Sequence, residues 1–349
     1  MRFSLFIHME RHDDSLTHEE HFQNLVELTL LAEAGGFSTV WIGEHHSMEF
    51  TISPNPMLQL AHLAAKTSTI RLGAGTIIAP FWHPIRAAGE AALLDVISGG
   101  RAEIGIARGA YQFEFDRLAD GMPSSEGGTH LRELVPAVQR LWQGDYAHDG
   151  EIWSFPLSTS SPKPVQQPHP PIWIAARDPA SHDFAVANGC NIMVTPLMKG
   201  DEEVEALVGK YETAIENHPE ITERPDIMVL RHTHVHSEDD DQGWRPAAEG
   251  VQKFYRTFDA WFGNSTAPQN GYLEPSPVEK FAERPEFSPE SLHATAMIGT
   301  PTEVIERLRH YERLGVTEYS YWMDNTLSHE QKRRSLELFI ENVVPAFRQ

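Results

Sequence analysis

Cysteine is the first scarcity in this chain of 349 residues: it has one, Cys190. A lone thiol excludes an intrachain disulfide framework and a Cys-rich zinc or iron–sulfur site. It fits a reducing compartment, so a cytoplasmic location is expected. Basic residues are also few. The 28 Lys and Arg stand against 50 Asp and Glu, a formal net charge of −22. Such a surface repels phosphate backbones and anionic lipid, so neither nucleic acid nor a membrane is an expected partner. A local basic site for one small anion remains compatible with that charge. Long apolar runs are missing as well. The longest uncharged stretch, 50–65, is shorter than the ~18 apolar residues of a membrane span and carries Pro54, Asn55, Pro56 and His62. The N-terminus turns acidic at once and lacks a signal-peptide pattern.

What the chain does have is alternation. Short apolar runs at 3–7, 39–43, 70–78, 102–107, 171–176, 191–195, 226–236 and 316–322 read as strands. Segments of helical spacing lie between and after them: 18–34, 56–66, 85–97, 129–142, 180–188, 201–217, 242–262, 302–314 and 328–347. Strict alternation means a parallel sheet. Eight units over more than 300 residues predict an α/β fold of the (β/α)₈ TIM-barrel class with insertions, a single domain over 1–349. The rival doubly wound sheet usually has a Gly-rich first turn, and here that turn reads His8-Met9-Glu10-Arg11-His12. Segments 111–128 and 144–171 read as loops. The longest irregular segment, 263–294, carries Pro268, Pro275, Pro277, Pro285 and Pro289. Its late position predicts either a lid or a mobile surface insertion.

A barrel of this class keeps its active site at the C-terminal strand ends. The second strand ends in Glu44-His45-His46, a proton-transfer group, a set of metal ligands, or polar loop residues. The third carries Gly73, Gly75 and Thr76, where glycine allows close backbone approach to a planar ligand or tight internal packing. The fourth ends in Arg108-Gly109 with Tyr111 beyond, a clamp for phosphate or carboxylate. The fifth ends in Ala176-Arg177-Asp178, with Ser181 at a helix start that could receive phosphate. His232, His234 and His236 share one strand face and offer a metal row, which would make the chain a metal-dependent hydrolase. Trp41, Phe81, Trp82, Tyr111 and Trp322 fall near strand ends and together could wall an apolar pocket.

In order along the chain, five blocks resemble the bacterial luciferase-like flavin-dependent monooxygenases. They are Glu44-His45-His46 through Phe50, Gly73 through Arg86, Gly99-Gly100-Arg101 with Ala107-Arg108-Gly109, Pro171 through Ala176 with Ser181, and Gly299 through Val304. The resemblance implies a TIM barrel using reduced FMN, supplied by a separate flavin reductase, and dioxygen. A flavin hydroperoxide would then oxygenate a small, mostly apolar substrate such as an aldehyde or ketone. His45 matches the family's catalytic histidine, with Glu44 and His46 beside it. Arg108 and Ser181 match phosphate contacts, and Gly109, Tyr111, Ala176 and Arg177 flank them. Gly75-Thr76 matches the family's non-proline cis peptide under the flavin ring, and 263–294 matches a mobile lid. A homodimer is implied too. The sequence departs from luciferase at Ala107, where a reactive cysteine stands there, and at Arg177-Asp178, where luciferase has Glu-Ser. An arginine expected near Glu126 is absent, and Arg132 is its candidate replacement. A deazaflavin-dependent oxidoreductase on the same fold is the alternative.

Overall fold

Every barrel strand is buried on both faces, so its sequence reads as a near-continuous apolar run rather than an alternating one. The computed structural model describes residues 1–263 and 267–348. Its strands are β1 (Arg2–Ile7), β2 (Thr39–Ile42), β3 (Arg71–Ile78), β4 (Ala102–Ala107), β5 (Tyr146–Asp149), β6 (Ser154–Ser158), β7 (Ile172–Ala175), β8 (Asn191–Val194), β9 (Ile227–Val235), β10 (Met297–Gly299) and β11 (Glu318–Trp322). Strands β1, β2, β3, β4, β7, β8, β9 and β11 pair in that order, all parallel, and β11 closes the ring on β1. All eight match the sequence expectation within two residues. β10 extends the edge of β9, and β5 with β6 forms a separate antiparallel hairpin.

The helices are α1 (His18–Ala34), α2 (Pro56–Ala64), α3 (Pro84–Ser98), α4 (Gln112–Leu118), α5 (Gly127–Gln143), α6 (Pro179–Ala187), α7 (Asp201–Asn217), α8 (Trp244–Gly263), α9 (Val278–Ala282), α10 (Pro289–Thr295), α11 (Pro301–Arg313) and α12 (His329–Leu338). Capping boxes start α1 (Thr17 with Glu20), α11 (Thr300 with Glu303) and α12 (Ser328 with Gln331). Among the described residues no helix is long and apolar enough to cross a membrane.

Trp41 and Trp173 fill the barrel's interior, edge to face at 5.5 Å. The Trp41 indole donates to Glu318 at 3.2 Å, and the Trp173 indole donates to Glu103. Gly73 is required here, because a Cβ would lie 2.1 Å from the Trp41 ring.

Three loop-like readings are corrected. Segment 111–128 contains α4, whose Phe113, Glu114 and Phe115 are buried; it is too short, and lacks a side-chain cap, to show helical periodicity. Segment 144–171 contains the β5–β6 hairpin. Segment 263–294 contains α9 and α10, and residues 264–266 of it lie outside the described residues. Proline misled that last reading. Pro289 stands at the start of α10, where a missing N–H costs nothing, and Phe281, Phe287 and Leu292 pack inward. The last helix ends at Leu338 and continues to Phe347 as tighter and wider turns.

Candidate functional site

His45 follows β2 at the rim and is 14% exposed. Its Nδ1 lies 3.0 Å from Oε2 of Glu114, a fully buried carboxylate on α4. The other Glu114 oxygen accepts from the His46 backbone N–H at 2.7 Å. One acid therefore fixes both the ring and the chain that carries it, leaving His45 Nε2 to face the site. Tyr111 closes against His45 with ring centroids 5.1 Å apart. Burial, then the charges of Glu114 and Glu10, push its phenol well above the ordinary range.

Glu44 is differently employed. Its Oε2 accepts from the Ile78 N–H at 2.7 Å and the Trp82 indole at 2.8 Å, and its Oε1 lies 2.7 Å from His46 Nε2. It braces β2 against β3, where the Gly75–Thr76 peptide is cis and the β3–β4 register breaks. The Glu44 N–H donates to Thr76 O at 3.1 Å, which seats that peptide beside His45.

A cavity of about 730 Å³ opens beyond β4 and β7. Arg108, Arg132, Arg177, Lys199 and Lys210 line it, opposed by Asp178 and Glu203. In a chain of net charge −22 this is a concentrated positive site. Arg177 and Lys199 pair with Glu203. Arg108 and Arg132 have no hydrogen-bonded or ion-paired partner among the described residues, so their guanidinium groups are free for an anion. Gly109 follows Arg108 with φ +86, a turn that suits glycine. Asp178 caps α6 through the Ser181 N–H at 2.9 Å. Burial opposes its ionisation, but the Ser181 bonds hold its carboxyl below the ordinary range. Ser181 lines the cavity while its hydroxyl donates to Asp178 O. Ala176 is buried and bonds Met193 O, so it forms wall rather than lining. These residues fit a phosphorylated cofactor: Arg108 and Arg132 are unpaired among the described residues, and the N-terminus of α6 faces the same space.

The aromatic residues divide. Trp41 is fully buried in the barrel interior, and Trp82 is buried with its indole bonded to Glu44. Phe81 is half-buried against His46 and Phe115. Trp322 does reach the mouth, stacked on His232 at 3.9 Å and edge-on to Phe254 at 5.1 Å. Two buried nitrogens there, Trp322 Nε1 and His232 Nε2, have no partner, as expected of atoms that meet a ligand. The histidine row does not converge. His232 Nδ1 bonds Asp324 O at 2.9 Å, and His236 Nδ1 bonds Ser237 O at 3.1 Å. Burial lowers His232 and His234 to about 4. Among the described residues no three His, Cys, Asp or Glu could hold a metal ion together.

Several site residues escape the sequence reading. Glu114 lay in a presumed loop, though an acid between two phenylalanines was a visible signal. His8 and Glu10 lie just after β1, where the strand-end rule applies equally. His8 stands 5.1 Å from His45, ring to ring, and Glu10 bridges His8 (3.3 Å) and His12 (3.0 Å). Burial opposes the Glu10 charge, but hydrogen bonds from His12 and His8 outweigh it and keep the carboxyl ionised.

Comparison with known proteins agrees with this geometry. A family model described as luciferase-like monooxygenase matches residues 1–318. The chain is 52% identical, over 99% of its length and 96% of the relative's, to a flavin-dependent trigonelline monooxygenase, oxygenase component, of Acinetobacter baylyi. Monooxygenase RslO1 of Streptomyces bottropensis superposes with a TM-score of 0.80 at 25% identity, covering 100% of both chains. The oxygenating constituent of 3,6-diketocamphane monooxygenase from Pseudomonas putida, solved with FMN, superposes with a TM-score of 0.78 at 18% identity, covering 99% and 98%. At that identity the likeness is one of fold.

Proposed function

The chain belongs to the luciferase-like monooxygenase family, and from that premise we propose that it is the oxygenase component of a two-component enzyme using reduced FMN and dioxygen. A separate flavin reductase is then its partner. The observation that carries this reading is the His45–Glu114 pair at the rim, with a cationic cavity nearby.

Bound reduced flavin supplies the activation of dioxygen; the chain supplies position, dryness and protons. Arg108, Arg132 and Arg177, with Ser181, hold the phosphate. The Gly75–Thr76 backbone beds the flat ring. His45, oriented by Glu114, holds or moves a proton at Nε2. Segment 267–294 with the end of α8 acts as a lid on one barrel domain. Its tip is tied to the β2–α2 loop: the Glu49 N–H donates to Gly271 O at 2.8 Å, and Arg11 bonds both Glu49 and the Tyr272 hydroxyl.

The substrate is a small, flat heteroaromatic cation with a carboxylate, of the kind the Acinetobacter relative's name gives. Phe50, Tyr111, Phe254 and Trp322 offer π faces, and the buried, ionised Glu10 adds negative charge near them. An apolar aldehyde or ketone is the second reading, favoured by the same aromatic wall. A homodimer forms through α2 and α3, where Leu58, Leu93, Val96 and Ile97 are exposed.

Reduced FMN bound to the protein, mixed with isotopically labelled dioxygen and trigonelline, tests the reading. Label appearing in the substrate supports it. Indifference to dioxygen overturns it in favour of a deazaflavin-dependent oxidoreductase.

A further inference from the structure

A second, smaller cavity of about 100 Å³ lies between the loop after β1, α8 and the loop after β11. Around the barrel, β1 is separated from β4 and β7 by other strands on either side, so this cavity faces the phosphate cavity across the mouth. Five basic side chains line it: Arg11 is already bonded to Glu49 and Tyr272, which leaves His12, His21, Lys253 and Lys332. Their nitrogens are unusually idle. His12 is 9% exposed, and its Nδ1 is buried without a partner. His21 Nδ1 is likewise buried and unpartnered. Lys332 is 13% exposed, and the Asp324 oxygen at 3.9 Å is beyond hydrogen-bond reach. Lys253 has no ion-pair partner among the described residues.

An ammonium with no hydrogen-bonded partner, and its one carboxylate 3.9 Å away, is open to an anion that completes its shell. The charge already present limits what that can be. Glu10 forms one wall as a fixed anion, with both oxygens taken by His8 and His12, and Asp13, which feels the charges of Lys253 and His12, forms another. Two lysines against those carboxylates suit a single negative charge better than a dianion. The volume takes in a carboxylate group and leaves the rest of its molecule outside the cavity. Burial, then the nearby Lys332 charge, lowers His21 to about 4, so the ammonium's field acts across this space.

We infer that Lys253, Lys332 and His12 form a subsite for a small carboxylate, distinct from the cationic cavity of Arg108 and Arg132. The position is close to the reaction centre, since His12 leads through Glu10 to His8 and so to His45. The carboxylate has two possible sources, the substrate itself or a separate small acid. Only the first rests on the function proposed above.

The experiment is calorimetric titration of the flavin-free full chain with benzoate and with its neutral isostere benzamide, in phosphate buffer to fill the other cavity. Benzoate is expected to bind at least about tenfold more tightly than benzamide. Lys332→Met and Lys253→Met should each remove that preference and leave thermal melting in place. Equal binding of the two compounds overturns the inference, as does a benzoate preference that survives in both variants. Should either variant unfold, Lys→Gln at the same position carries the same test. Trigonelline then separates the sources. If its binding shows the same lysine dependence, the subsite serves the substrate. If benzoate alone shows it, the subsite stands as a separate acid's and the substrate reading fails.

Discussion

Glu114 Oε2 sits 3.0 Å from His45 Nδ1, and neither residue shares an element with the other. The pair is assembled only when α4 folds across the end of β2. The acid fixes which imidazole nitrogen points at the site, so its removal should resemble removal of the base. His45→Ala is expected to lower kcat about 100-fold or more, the usual worth of a positioned proton-transfer group. Glu114→Gln should lower kcat while leaving KM and the melting temperature close to those of the parent. Parental kcat in Glu114→Gln would reduce the pair to packing.

Arg108→Ala should weaken FMN binding by about 1.5–3 kcal/mol, the range for a charge-assisted hydrogen bond. Arg132→Ala should act in the same direction. Riboflavin, which has no phosphate, is the control: its affinity should not change in either variant. Fluorescence titration reads both ligands.

The proposed lid segment is tied down by Tyr272, whose hydroxyl meets Arg11. Tyr272→Phe removes that tie without removing the ring. More hydrogen peroxide should then be released per substrate oxygenated, because a looser cover admits water. Unchanged coupling would show that this tie does not govern closure.

Glu318, on the barrel floor, is pushed up to about 7 by burial and by the charge of Glu103. Its folded value lies above the ordinary carboxylate value of 4.5. The stability it contributes is therefore fully present below about 4.5 and is lost as pH rises through about 7. Glu318→Gln should flatten the fall in melting temperature over that window and melt higher than the parent at pH 8. The gain has an upper limit of about 3 kcal/mol.

The barrel was legible because its strands are buried on both faces: each is a short apolar run with a helix of clear period behind it. The rim rule singled out His45, Arg108 and Arg177, which the structure places just beyond the ends of β2, β4 and β7. What escaped had one of two causes. α4 and α10 each span only seven residues, too few for a period to show. The rest was partnership. Nothing local in Glu44 tells that it braces Trp82 and Ile78, while Glu114, 70 residues on, serves His45. The tryptophans misled for the same reason: Trp41 is next to last in β2 and Trp322 ends β11, yet one side chain turns into the barrel and the other stacks on His232.

Trp41 and Trp173, wedged edge to face above their two carboxylates, stopper the barrel from beneath. A vessel with one opening serves its visitors in sequence. Whatever seats deepest, against the Gly75–Thr76 peptide, arrives first and departs last, and anything bound above it blocks its exchange. The order of events in such a site is set by depth rather than by affinity, and an excess of the later arrival would slow the cycle.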